Sequence, residues 1–318
     1  VVLESTPASN RSKILAALQS LSAGGSTAGG AGIELAYKIA TENFMDQGNN
    51  RVILATDGDF NVGPSSEGEL LRMIEKKRET GIFLSVLGFG TGNLQDSKME
   101  QIADKGNGNY SYIDNVLEAK KVLVQEMGGT LYTIAKDVKI QIEFNPATVQ
   151  GYRLIGYENR MLAAEDFNDD KKDAGELGAG HTVTAIYEII PAGAESPVEL
   201  ASVDKLKYQL QVPKDGSIQE LGQVKLRYKA PEGSVSELIT QTVGLEERSM
   251  DATSNAYRWS AAIAGWGMLL RKSKHMGTAT TADIVSLAKG SKGTDENGYR
   301  AEAIRLMEQS EVLFVAEK

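Results

Sequence analysis

Two short runs, RVILAT (51–56) and IFLSVLGFG (82–90), are apolar without alternation. That is the pattern of strands covered on both faces, as in parallel sheets. Strands of this kind need helices on either side, so the segments between them must supply apolar helical faces. They do. Arg11 to Leu21 carries Ile14, Leu15, Leu18 and Leu21 at helical spacing, and Gly32 to Phe44 places Ile33, Ala36, Tyr37, Ala40 and Phe44 on one face. Ser66 and Glu69 have capping-box spacing for a helix through Leu70, Leu71 and Ile74 to Arg78, which Gly81 ends. A helix over Ser97 to Lys105, a strand NYSYI (109–113) and a helix over Asn115 to Met127 follow. Strand and helix alternating in this rhythm predict an α/β, doubly wound, Rossmann-like parallel sheet over 1–130.

Past 130 the period changes. VKIQIEF (138–144) alternates, with Val138, Ile140, Ile142 and Phe144 on one face and Lys139, Gln141 and Glu143 on the other. TVTAIYEII (182–190), KLKYQLQV (205–212), QVKLRY (223–228) and ELITQTV (237–243) continue the pattern, separated by turn-rich stretches such as PAGAESP and PKDGS. This predicts an antiparallel β-sandwich over 131–248. Residues 249–318 return to helical spacing, as a third segment or as one unit with 131–248. Asn255 to Leu270 is apolar nearly all round, with Trp259 and Trp266 on it, which predicts a helix covered on most sides. ADIVSLAKG (282–290) and YRAEAIRLMEQSEVL (299–313) complete the helices.

Composition removes several classes of function. The net charge is -9, the isoelectric point is about 5.0, and lysines and arginines form no cluster, which argues against nucleic acid as a partner. The absence of cysteine excludes disulfides, thiolate metal sites and cysteine nucleophiles. Two histidines, His181 and His275, are too few and too far apart for a usual zinc site. The longest apolar stretch, Ala261 to Leu270, falls well short of the roughly 20 residues a bilayer span needs. The first residues have neither the basic start nor the apolar run of a signal peptide.

Two loops stand out as candidate sites. LSAGGSTAGGAGIELAY (21–37) is glycine-rich just before a helix and contains Ser26 and Thr27. LATDGDFNVG (54–63) ends a buried parallel strand in Thr56-Asp57-Gly58, and the carboxyl ends of such strands are where ligands bind in doubly wound sheets. Asp57 therefore has two readings, a functional carboxylate or a turn residue bonded to its own backbone. A hydroxyl from the first loop and a carboxylate from the second suit a hard cation such as Mg²⁺ or Ca²⁺.

The pattern GGST…TDGDFNVG and the order of elements through Met127 resemble the von Willebrand factor A fold and its metal-ion-dependent adhesion site. The resemblance carries Thr27 and Asp57 onto the threonine and aspartate ligand positions. It implies Mg²⁺ (or Mn²⁺ or Ca²⁺) in the complete domain, with an acidic side chain of an unknown partner protein completing the metal shell. The D-x-S-x-S loop of that family is absent from these residues. The nearest match, Asp251 to Asn255, lacks the last serine. This leads us to expect an N-terminally incomplete A domain, lacking its first strand, with no tightly bound metal. The whole layout, including FNDDKKDAGELGAGHTVTAIYE (167–188) and GYRAEAIRL (298–306), resembles bacterial A-domain proteins of the calcium-activated chloride channel homologue type that carry a C-terminal domain of unknown function. From this resemblance follow a non-enzymatic adhesion module and a place in the bacterial cell envelope, periplasmic or surface, anchored upstream as a lipoprotein. An envelope scaffold without a working metal site and an accessory subunit of an ATPase complex are the alternatives.

Other motifs fall short. Gly24 and Gly29 have P-loop spacing, but Gly30-Ala31 follows where Lys-Ser/Thr is required. GFGTGN (88–93) has Asn93 in place of the third glycine of a dinucleotide fingerprint. Ser26 nearly sits in a nucleophile elbow but has no histidine in its region of the sequence. In Glu165 to Glu176, Asp166, Asn168 and Asp170 match positions 1, 3 and 5 of a calcium loop, yet Lys171 and Leu177 break an EF-hand. A looser calcium site and a solvated acidic loop both remain for that segment.

Overall fold

The computed structural model describes residues 1–22, 29–46, 48–58, 67–92, 94–158, 161–195 and 219–315. They form two compact units: 1–139 with 170–182 and 227–237, and 140–169 with 183–226 and 238–318.

In the first unit, β1 (Asn50–Thr56), β2 (Ile82–Gly88) and β3 (Tyr110–Tyr112) form a parallel sheet in the order β1-β2-β3. The parallel sheet predicted from the apolar runs is present. β2, in the middle, is the most buried strand, with Ile82, Leu84 and Val86 out of solvent. Against them pack Ile33 and Tyr37 of α2 (Gly29–Glu42), Leu70 and Ile74 of α3 (Glu67–Arg78), and Met99, Ile102 and Ala103 of α4 (Asp96–Lys105). Each large apolar side chain so buried contributes about 1.5–3 kcal/mol. α2 begins at Gly29, earlier than Gly32, and Gly29 and Gly30 are buried in its first turn. α1 (Arg11–Gln19) is helical as its spacing predicts, but it buries no residue, and Leu15, Leu18 and Leu21 are each more than half exposed.

The helix expected over 115–127 is broken. Asn115 Oδ1 accepts from the Leu117 and Glu118 amides and caps α5 (Val116–Lys120); a π-helical turn, Lys121–Gln125, then leads to α6 (Met127–Leu131). Ser66 of the expected capping box lies outside the described residues.

Among the described residues six strands follow: β4 (Thr133–Phe144), β5 (Val149–Leu154), β6 (Gly175–Gly178), β7 (Tyr187–Pro191), β8 (Glu220–Lys229) and β9 (Glu237–Gly244). They are arranged as a sheet in the order β6-β4-β8-β9 and a separate β5-β7 pair, with β4-β6 and β5-β7 antiparallel. The segment 205–212 lies outside the described residues. β4 departs from its sequence pattern. Its pairing with β6 shifts register between Ala135 and Val138, where Asp137 has φ of 52°. A bulge moves the following residues to the opposite face. At 139–140 the expected faces are exchanged, with Lys139 buried and Ile140 exposed, while farther on Glu143 is exposed and Ile142 and Phe144 are half-buried, as the alternation predicts.

In the second unit, α7 (Asn255–Leu270), α8 (Thr281–Gly290) and α9 (Tyr299–Val315) enclose Ala262, Ile284, Ala288, Ile304 and Met307, with Trp259 and Trp266 against them. Ser254 caps α7, and Thr280 with Asp283 forms a reciprocal capping box on α8. α7 is less enclosed than its composition predicts: only Ala262 is fully buried, and Tyr257 and Leu270 remain substantially exposed. Among the described residues no helix is long and apolar enough to cross a membrane.

Candidate functional site

The carboxyl ends of the three parallel strands lie side by side, since Thr56 is in register with Gly88 and Gly88 with Tyr112. The chain leaves β1 through Thr56-Asp57-Gly58. The Thr56 hydroxyl accepts the Gly58 amide at 3.0 Å, and the Asp57 carbonyl accepts the Gln95 amide at 3.1 Å. Gly58 has φ of 83°, and a Cβ there would lie 2.8 Å from Gln95 Cβ. The turn thus admits glycine alone, and it presents Asp57, half-buried, at the sheet edge. The strand after it is held in the same way: Phe89 donates its amide to the Thr56 carbonyl, and Tyr112 donates its hydroxyl to the Gly90 carbonyl. A Cβ on Gly90 would stand 3.8 Å from that of Asp57, so the two turns are neighbours.

Thr27 and Ser26 lie outside the described residues. Asp57 belongs to no group of three potential ligands among the described residues. It fits one carboxylate position of a divalent-cation site, and one carboxylate with one hydroxyl is too small a set to hold Mg²⁺ tightly.

A second set of acids was not legible as a cluster. Asp137 in the β4 bulge, Asp173, and Glu176 of β6 bring carboxylate oxygens within 4.8 Å of one another. Asp173 and Glu176 come from the acidic segment that the sequence marks; Asp137 does not, and only the pairing of β4 with β6 brings it there. Three basic residues surround them. Lys229 Nζ donates to Asp137 Oδ2 at 2.7 Å and to the Asp170 carbonyl. Arg78 Nη1 donates to Asp173 Oδ2 at 2.6 Å and to Asn107 Oδ1 at 3.1 Å. Arg51 donates to the Ser85 and Thr133 hydroxyls and couples electrostatically to Glu176; burial pulls its guanidinium down to about 10. Glu176 Oε1 is shut off from solvent without a hydrogen-bond partner among the described residues. Burial, reinforced by the negative charges of Asp173 and Asp137, pushes the Glu176 carboxyl up to about 8. Nearby, Asp170 accepts from the Ser236 hydroxyl and from Arg227, which hold its carboxyl below the usual range. Asp170 and Asp173 of this segment are thus held by protein partners, while Glu165 and Asp169 are exposed.

Two parts of the chain match known protein families. Residues 1–125 match the von Willebrand factor type A domain. Residues 129–313 match the C-terminal region of the uncharacterized protein YfbK, and the chain belongs to that family. Uncharacterized protein YfbK of Escherichia coli (strain K12) is 46% identical over 310 residues, covering 97% of this chain and 52% of that protein. The chain thus spans about half the length of the curated relative it matches. Among solved structures, a von Willebrand factor type A protein from Catenulispora acidiphila is 16% identical, with a TM-score of 0.40 over 95% of this chain and 67% of that one. The ArnB paralog VWA2 from Sulfolobus acidocaldarius is 12% identical, with a TM-score of 0.35 over 91% and 70%. Likeness at that level adds nothing further about this chain.

Proposed function

We propose that the chain is a non-enzymatic protein-binding module whose A domain engages a partner at the carboxyl edge of the parallel sheet. In this reading Asp57, with Thr27 from the loop before α2, contributes to a Mg²⁺ or Mn²⁺ site, and an acidic side chain of the partner completes the metal shell. The observation that carries the reading is the placement of Asp57. A turn that only glycine can close sets this carboxylate at the end of β1, partly open to solvent, beside the Gly90 turn. The match of residues 1–125 to the von Willebrand factor type A domain supports it, since such domains are generally interaction modules. The bacterial cell envelope goes with the reading as its location, to be checked by cell fractionation.

Mn²⁺ binding followed by electron paramagnetic resonance tests the metal site. Wild-type chain is expected to bind Mn²⁺ weakly, and Asp57→Ala and Thr27→Ala are each expected to weaken that binding further. Binding that is unchanged in both variants would overturn the assignment.

A further inference from the structure

The cluster of Asp137, Asp173 and Glu176 lies within one compact unit and involves neither Asp57 nor Thr27. Oxygens bound to one ion can be no farther apart than twice the metal–oxygen distance. That limit is about 4.6–5.2 Å for calcium and about 4.2 Å for magnesium. The three carboxylate oxygens lie within 4.8 Å of one another, inside the limit for calcium, so one cation can reach all three without any movement of the backbone.

Among the described residues, two of the carboxylates have a basic partner on one oxygen and none on the other. Lys229 takes Asp137 Oδ2 and Arg78 takes Asp173 Oδ2. The other oxygen of Asp137 accepts a long 3.3 Å bond from the Ala174 amide, its one further hydrogen bond among the described residues. A carboxylate has about four lone-pair sites, so the second oxygen of each residue can serve a cation. Glu176 is the member that points to a ligand. Its Oε1 is buried in the cluster and has no donor among the described residues, although buried carboxylate oxygens are ordinarily hydrogen-bonded or bound to metal.

We propose that Asp137, Asp173 and Glu176 form a calcium-binding site, with Glu176 as the anchoring ligand and water filling the remaining coordination positions. Lys229 and Arg78 neutralise two of the three carboxylates, so the ligand charge is low. The affinity belongs with the weak class of calcium sites, at about 10⁻⁴–10⁻³ M.

The test is a CaCl₂ titration of the chain at constant ionic strength, followed by thermal melting and by calorimetry. It is run at about pH 8.5, because metal ligands must be deprotonated, with MgCl₂ and KCl as controls. A saturable, calcium-specific rise in Tm is expected up to about 10 mM. It is expected to persist in Asp57→Ala and to weaken at least about tenfold in Glu176→Gln, which keeps the shape of the side chain and removes its charge. Circular dichroism verifies that both variants fold. The proposal fails if wild type shows no calcium-specific rise, or if Glu176→Gln responds as wild type does. It also fails if the response vanishes in Asp57→Ala while Glu176→Gln keeps it, a result that would assign the ion to the sheet edge instead.

Discussion

Lys229 Nζ lies 2.7 Å from Asp137 Oδ2, and the two side chains are only 8% and 14% exposed. A buried pair of this kind is worth little against an apolar replacement, yet removing one partner strands the other charge out of water. Lys229→Met is expected to destabilise the protein by about 3–5 kcal/mol in chemical denaturation. Adding Asp137→Asn, which tolerates the positive φ at that position, should recover part of the loss. A double variant that is less stable than the sum of the singles would show that the pair is not the source of the effect.

Glu176 makes stability depend on pH in an unusual direction. Its carboxyl is pushed up to about 8 in the folded chain, against about 4.3 for an exposed glutamate. Between those values the folded state holds a proton that the unfolded state has lost. The contribution is therefore complete below about 4.3 and lost as pH rises through 8. Melting in chelator-containing buffer should show wild type losing stability between pH 6 and pH 8.5 relative to Glu176→Gln. Parallel pH profiles for the two proteins would sink this account.

Gly58→Ala combines a left-handed backbone with a collision. The new methyl would meet Gln95 Cβ at 2.8 Å and Met99 Cγ at 3.2 Å. The backbone conformation alone costs about 1–2 kcal/mol and overpacking about 1–3 kcal/mol more. Urea midpoints should fall accordingly, with any metal response of Asp57 falling alongside.

Gly32 is the opposite case. It is exposed within α2, and a Cβ there would have nothing within 4 Å. Gly32→Ala should raise stability by about 0.5–1 kcal/mol through helix propensity and a less flexible unfolded chain. Loss of stability would mean that this turn of the helix is under a constraint that its surroundings do not reveal.

The sequence discloses what is local. β1 and β2 are uninterrupted apolar runs, and the helices between them carry their periodicity openly, so the parallel sheet and the strand-end placement of Asp57 can be read directly. The break in the helix after Lys120 cannot be read, because the π turn of Lys121–Gln125 contains neither proline nor glycine. The bulge at Asp137 is hidden for a related reason: the alternation of VKIQIEF is intact in the letters, and only the pairing with β6 reveals the shift of register that accompanies a buried Lys139 and an exposed Ile140. The acidic cluster was out of reach because its ion pairs are long-range. Arg78 and Asp173 are 95 residues apart, and no periodicity or motif links them.

The first compact unit is discontinuous, and it closes only when 227–237 joins 1–139 and 170–182. Asp137 precedes its lysine by 92 residues. At a synthesis rate of about 5–20 residues per second, Asp137 leaves the ribosome roughly 5–20 s before Lys229 does. Once Glu176 has followed, and until Lys229 is made, the nascent chain carries all three acids with one of their basic partners still missing. The order of translation, not the order of the strands in the sheet, therefore decides when this part of the protein can first become neutral and shut out water.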